Sequence, residues 1–219
     1  MTHDIAAVIF DCDGTLVDSE TPGLDVLHAE AVKIGAAIER DEIHARFRGK
    51  RMMWCAGVVG ERLANKPNDF EDGFTKQVRA AMTVRFREGL DPLPGAFDLL
   101  RRLQIPFCVA SNGPREKMEL TLGQCGLWPL VSDRIFSAYE VGSFKPDPGL
   151  FLHAAAALGV EPARCAVIED SLPGVQAGLA AGMQVFSLHP QPGLPAELAD
   201  RVRFIDSLVE LDRLLHGQA

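Results

Sequence analysis

Five short apolar runs rich in β-branched residues, at 5–10, 105–110, 134–136, 165–168 and 184–188, each end in polar or glycine-containing sequence. Helix-length stretches at 95–103, 114–125, 149–158 and 173–181 alternate with them, with Pro at or near their starts and Gly soon after several ends. A continuous apolar strand must be covered on both faces, and a strand followed by a helix returns the chain parallel to itself. The alternation therefore predicts an α/β fold with a doubly wound parallel sheet. The stretch 19–89 interrupts it. It contains no convincing strand, and 24–37, 41–47 and 70–87 read as helices, so the chain divides into a core of 1–18 and 90–219 and an inserted helical domain of 19–89. Asp18 to Pro22 and the breaker-rich Asp91-Pro92-Leu93-Pro94-Gly95 mark the two crossings. At 219 residues, a core with one insertion is the size expected.

In open α/β sheets ligands bind beyond the carboxyl ends of the strands. The first predicted strand ends in Asp11-Cys12-Asp13-Gly14-Thr15 and the second in Ser111-Asn112-Gly113. The third is followed by Phe144-Lys145-Pro146-Asp147 and the fourth by Glu169-Asp170-Ser171. Carboxylates gathered at one mouth raise one another's pKa unless a cation compensates them. Hard oxygen ligands without His or Cys at ligand spacing favour Mg²⁺ over zinc, and Mg²⁺ held by a few carboxylates points to phosphoryl chemistry. Each residue also has a plainer reading. Ser111 could cap the following helix, Lys145 could be a solvated loop lysine, and Glu169-Asp170 could cap the helix near Pro173. Cys12 reads as a small core residue, and the six histidines show no ligand spacing.

The ordered set DCDGTLVDS at 11–19, Ser111 in VASNGP, Lys145 in FKPDP and Glu169-Asp170 in VIEDS resembles the four motifs of the haloacid dehalogenase superfamily of phosphohydrolases. The resemblance covers essentially the whole chain, and the helical insertion is similar to that family's substrate-covering cap. It implies that Asp11 attacks phosphorus and that Asp13 is the general acid and base. It further implies that Ser111 and Lys145 hold the phosphoryl oxygens, with Asn112 beside them, and that Asp11, the Asp13 carbonyl, Glu169 and Asp170 hold Mg²⁺. The presence of Asp13 disfavours carbon–halogen cleavage. Within the superfamily the chain most resembles the 6-phosphogluconate phosphatases and the β-phosphoglucomutase-like members. Gly23 stands where those mutases carry histidine, so release of phosphate to water is expected. A mutase and a catalytically inert binding member are the alternatives.

Charge bears on the substrate. The 22 basic and 30 acidic residues give a net charge of -8, the wrong sign for a protein that holds nucleic acid by phosphate neutralisation. Residues 20–90 carry 12 Lys or Arg against 11 Asp or Glu, a net of +1 that leaves -9 elsewhere. Arg46-Phe47-Arg48-Gly49-Lys50-Arg51 concentrates cations around a helix-ending glycine. Arg48, Gly49 and Lys50 are therefore expected to read a second anionic group on a small phosphorylated metabolite, a sugar or sugar-acid phosphate such as 6-phosphogluconate. Five cysteines without a CxxC pair, no basic n-region in MTHDIAAVIFDCDG and no long apolar stretch lead to the expectation of a cytoplasmic enzyme. No membrane association or obligate protein partner is expected.

Overall fold

A computed structural model of the chain describes residues 4–188 and 193–217, which leaves His3 and His189 outside the described residues. Backbone contacts divide the chain into two compact units, Met1–Asp18 with Asp91–Ala219, and Ser19–Leu90. The second unit is built from α1 (Glu20–Lys33), α2 (Arg40–Phe47), α3 (Met52–Gly60) and α4 (Phe70–Arg87). Its core is its own: Leu24, Leu27, Ile43, Phe47, Val59, Phe74 and Val78 pack together. In α4, Glu71 and Asp72 occupy the first turn and Arg85 and Arg87 the last, each sign opposing the helix dipole at that end. The first helix is displaced from the expected 24–37. Pro22 is tolerated in a first turn, where its missing N–H has no helical partner to lose, and Gly35 at φ +82° ends the run. Helix α3, MMWCAGVVG, is apolar almost throughout, so its sequence shows no helical period.

The first unit contains β1 (Ala7–Phe10), β2 (Phe107–Ser111), β3 (Ile135–Ser137), β4 (Cys165–Glu169), β5 (Gln184–Ser187) and β6 (Arg203–Phe204). They form one sheet in the order β3-β2-β1-β4-β5-β6, and every pairing is parallel. The helices of this unit are α5 (Ala96–Arg102), α6 (Arg115–Gln124), α7 (Trp128–Val131), α8 (Ala138–Val141), α9 (Gly149–Leu158), α10 (Leu172–Ala180), α11 (Ala196–Ala199) and α12 (Leu208–Leu215). Strands β1, β2 and β4 are buried along their whole length, as a sheet covered on both faces requires. On one face Ala7, Ile9, Cys108, Ala110 and Val167 pack with Leu150, Phe151 and Ala154 of α9 and Val175 and Ala177 of α10. Each large side chain fully buried here contributes about 1.5–3 kcal/mol.

Strand β6 was not anticipated. It is two residues long and begins with an exposed arginine, so no apolar run announces it. The strand order reverses direction between β1 and β4, and that reversal opens a crevice at their carboxyl ends.

Candidate active site

The β1–β4 ladder pairs Phe10 with Ile168, and the Asp11 N–H extends it by donating to the Ile168 carbonyl at 2.9 Å. One residue further, Asp11 and Glu169 stand side by side at the crevice. The Lys145 ammonium lies between them, with Nζ 2.5 Å from Asp11 Oδ1 and 2.6 Å from Glu169 Oε1. Its side chain is 2% exposed, which overturns the solvated-loop reading of this lysine. Lys145 arrives on the loop between α8 and α9, and its backbone is fixed across the crevice. The Lys145 N–H donates to Asn112 Oδ1 at 2.9 Å, and Asn112 Nδ2 donates to the Lys145 carbonyl at 3.2 Å. Both ends of the Asn112 amide, expected to bind substrate, are thus engaged in holding Lys145. The Phe151 ring adds a cation–π contact at 4.7 Å.

Glu169 is gripped on its other side. Its Oε2 accepts from the Ser171 N–H at 3.2 Å and from the Ser171 hydroxyl at 2.9 Å, while Ser171 Oγ accepts from the Gly174 N–H as the N-cap of α10. The cap of α10 is therefore Ser171, which leaves Glu169 and Asp170 for other work. Gly174 is required for this: a Cβ there would lie 1.8 Å from the Glu169 carboxylate. On the other strand end, Gly14 at φ +82° turns the chain so closely that a Cβ would meet Asp170 Oδ2 at 2.2 Å. Thr15 Oγ1 donates to Asp170 Oδ1 at 3.3 Å. Ser111 ends β2 and is buried, and its Oγ accepts from the Gly113 N–H at 3.0 Å. Helix α6 has Pro114 at its N-cap, without a side-chain bond, so Ser111 is not the helix cap.

Asp13 carries a partner that the sequence reading missed. Lys117 Nζ donates to Asp13 Oδ2 at 2.7 Å from the first turn of α6. The sequence offered Lys117 only as the lysine of SNGPxxKM, one of the stretches that resemble the 6-phosphogluconate phosphatases, and nothing in that string assigns it a partner until α6 is placed against the strand ends.

Within the second unit, α2 ends at Phe47 and Gly49 adopts φ +69°. The carboxylate of Glu20 clasps this turn, accepting from Arg48 Nη1 at 2.6 Å and from the Gly49 N–H at 2.8 Å. Lys50 Nζ stands 5.9 Å from the centroid of the Trp54 ring.

The sequence profile of haloacid dehalogenase-like hydrolases matches residues 5–182. The chain belongs to this family. It is 35% identical over 192 residues to the 6-phosphogluconate phosphatase of Escherichia coli (strain K12), covering 86% of this chain and 84% of that one. It is also 31% identical over 215 residues to hexitol phosphatase A of the same organism, covering 95% and 89%. A haloacid dehalogenase-family hydrolase from Deinococcus radiodurans, solved with bound phosphate and sodium, shares the fold at a TM-score of 0.77 and 34% identity, over 98% of this chain and 96% of that chain. This hydrolase is accordingly an enzyme of the phosphatase type.

The donor set of the hydrolase fits a hard divalent cation. Asp11, Glu169 and Asp170 each offer a carboxylate oxygen, all within 4.8 Å of one another, and Gly14 and Gly174 leave the space that the Asp170 and Glu169 carboxylates occupy. The Asp13 side chain stands outside this trio, with Lys117. The Asp11 carboxyl is pushed up to about 8, chiefly by burial, against the pull of Lys145 and with the help of Glu169 and Asp13. Burial alone would lower the Lys145 ammonium, yet Asp11 and Glu169 outweigh that and hold it above its ordinary value. Burial also raises the Cys12 thiol well above the usual range, with Asp13 and Asp11 adding to the effect, so Cys12 behaves as the small core residue expected of it. Histidines 44 and 216 bond to Asp25 and Asp212, in keeping with their lack of ligand spacing. No helix among the described residues is long and apolar enough to cross a membrane.

Proposed function

We propose that this hydrolase cleaves a small phosphorylated metabolite, a sugar or sugar-acid phosphate with 6-phosphogluconate as the leading candidate, through a phosphoryl group carried on Asp11. The observation that supports this most is the buried Lys145 held between Asp11 and Glu169 at the topological switch point of the sheet. Asp11 Oδ attacks phosphorus and the bond to the leaving oxygen breaks, while Asp13 delivers the proton that makes this oxygen an alcohol. Water then attacks phosphorus and gives its proton to Asp13, and Asp11 is released as a carboxylate with inorganic phosphate. Ser111 and Lys145 bind and orient the phosphoryl oxygens, and Asn112 positions Lys145. Asp11, Glu169, Asp170 and the Asp13 carbonyl would hold Mg²⁺, which when bound supplies the positive charge that this anionic mouth needs beside a phosphate.

The substrate assignment draws on the likeness to 6-phosphogluconate phosphatase and on the basic Arg48-Gly49-Lys50 turn. Gly23 supports hydrolysis over a mutase reaction. It is buried in α1, where a Cβ would lie in ordinary contact with Met82 Cε at 3.4 Å and Phe86 Cζ at 3.5 Å, and a glycine offers no imidazole to the reaction.

A screen of phosphorylated metabolites with Mg²⁺, scoring free phosphate, tests the reading. Asp11→Asn is expected to abolish turnover and excess chelator to suppress it; retention of more than about a tenth of the rate by Asp11→Asn would overturn the nucleophile assignment. Arg48→Ala and Lys50→Ala are expected to lower kcat/KM on 6-phosphogluconate by roughly tenfold to a hundredfold, the loss of one charge-assisted bond, with a smaller loss on p-nitrophenyl phosphate. Equal losses on both substrates would return these residues to a structural role.

A further inference from the structure

We infer that Lys117 is a positioning residue for Asp13, holding its carboxylate to receive the proton of the water that hydrolyses phospho-Asp11. The inference rests on the reading of Asp13 as the base of that step. Lys117 is the third residue of α6, where a cation opposes the positive end of the helix dipole, so helix stability does not account for it. Its side chain instead leaves the helix toward the strand ends. A Cβ built on Gly113 would have Ser111 Oγ at 3.4 Å, Lys117 Cδ at 3.6 Å and Asp13 Oδ2 at 3.8 Å as its nearest neighbours. The lysine stem, the serine hydroxyl and the Asp13 carboxylate therefore converge over a residue that has no side chain to separate them. The ammonium closes on Asp13 Oδ2 at 2.7 Å, with the Lys117 side chain 36% exposed and that of Asp13 18% exposed.

The Lys117 contact fixes the direction in which the Asp13 carboxylate faces. In the step concerned, the water oxygen bonds to phosphorus, the P–O bond to Asp11 breaks with its electron pair returning to that carboxylate, and the water proton passes to Asp13. Asp13 follows β1 on a loop that turns at Gly14, and Lys117 reaches it from a separate element. That element, α6, is anchored in turn, because its backbone is tied to the end of β2 by the turn in which the Ser111 hydroxyl accepts from Gly113. Misplacing a proton-transfer group by about 1 Å is enough to cost up to a hundredfold in rate.

The test is pre-steady-state hydrolysis of p-nitrophenyl phosphate with Mg²⁺ by wild type, Lys117→Ala, Lys117→Met, Lys117→Arg, Asp13→Asn and the double variant Asp13→Asn/Lys117→Ala. Nitrophenolate leaves without help from an acid, so a defect confined to the second step lets the first turnover through. Lys117→Ala and Lys117→Met are expected to lower the steady-state rate roughly tenfold to a hundredfold, after a burst of nitrophenolate larger than that of wild type. Acid quenching should trap the matching phosphoenzyme. Lys117→Arg should restore most of the rate, and the double variant should show no further loss beyond Asp13→Asn. A slow Lys117→Ala without an enlarged burst, while Asp13→Asn shows one, overturns the role of Lys117 alone. Absence of an enlarged burst in Asp13→Asn overturns the reading of Asp13 on which it rests.

Discussion

Replacing Gly174 by alanine would ordinarily stabilise a helix by about 1 kcal/mol, yet here the added methyl would be set 1.8 Å from a fully buried carboxylate. Glu169 must move, and with it the partner of Lys145. Gly174→Ala is expected to lower kcat/KM at least about a hundredfold while far-UV circular dichroism stays unchanged, since a displacement near 1 Å in such a site is worth that much. Asn112→Ala acts one step further out. It removes both amide bonds to the Lys145 backbone but leaves the ammonium itself, so a loss of roughly tenfold is expected, smaller than that of Lys145→Ala measured beside it. Thiol chemistry follows burial. The Cys55 thiol is pushed up to about 12, chiefly by burial, and burial raises Cys12, Cys108, Cys125 and Cys165 as well, but Cys125 alone of the five is only half-buried and so within reach of a reagent. A raised pKa keeps a thiol protonated and unreactive at pH 8. Titration of the native protein with a chromogenic disulfide should modify Cys125 first, with the others following only on unfolding; fast reaction of Cys12 would contradict this.

Among the elements, α4 offers the contrast to α10. Gly73 lies on its exposed side, and a Cβ there would meet nothing within 4 Å. Gly73→Ala should therefore stabilise the helical unit by about 0.5–1 kcal/mol, read as a rise of a few degrees in its melting transition without a change in turnover. A fall would mean that the backbone at Gly73 is under a constraint other than space. Sequence legibility also varied by element. Strands β1, β2 and β4 were readable because a parallel strand buried on both faces is a largely apolar run, β3 and β5 because short apolar stretches stand between turn residues, and α4 because its buried positions recur at a helical spacing. Strand β6 and α3 were not, one being too short and edged with charge, the other apolar all round.

For the whole molecule the two crossings between units are the decisive feature. Val17 and Pro92 form an antiparallel bridge, and the Asp18 N–H donates to the Asp91 carbonyl at 3.1 Å, so the chain leaves and re-enters the sheet unit at neighbouring points. Each unit has its own apolar core. A variant in which two glycines replace residues 19–90 should be soluble, with a cooperative thermal transition and α/β circular dichroism. An aggregated or non-cooperative product would show that the sheet unit depends on the helical one for stability.

The amino-acid sequence by itself determined the first five strands, the longer helices between them and which polar residues follow the strand ends, because strand burial, helix period and turn residues are local properties written every few residues. It placed Asp11, Asp13, Ser111, Lys145, Glu169 and Asp170 beyond strands that had to be parallel. Only the tertiary structure decided how these groups are paired: Lys145 between Asp11 and Glu169, Asn112 behind Lys145, Ser171 bonded to Glu169, and Lys117 on Asp13. Those contacts span up to 134 residues of sequence, and they depend on which strands adjoin and how closely two glycines let the backbone approach. Strand order and close approach are properties of the packed sheet, set by the burial of every strand at once, and no single segment of sequence encodes them.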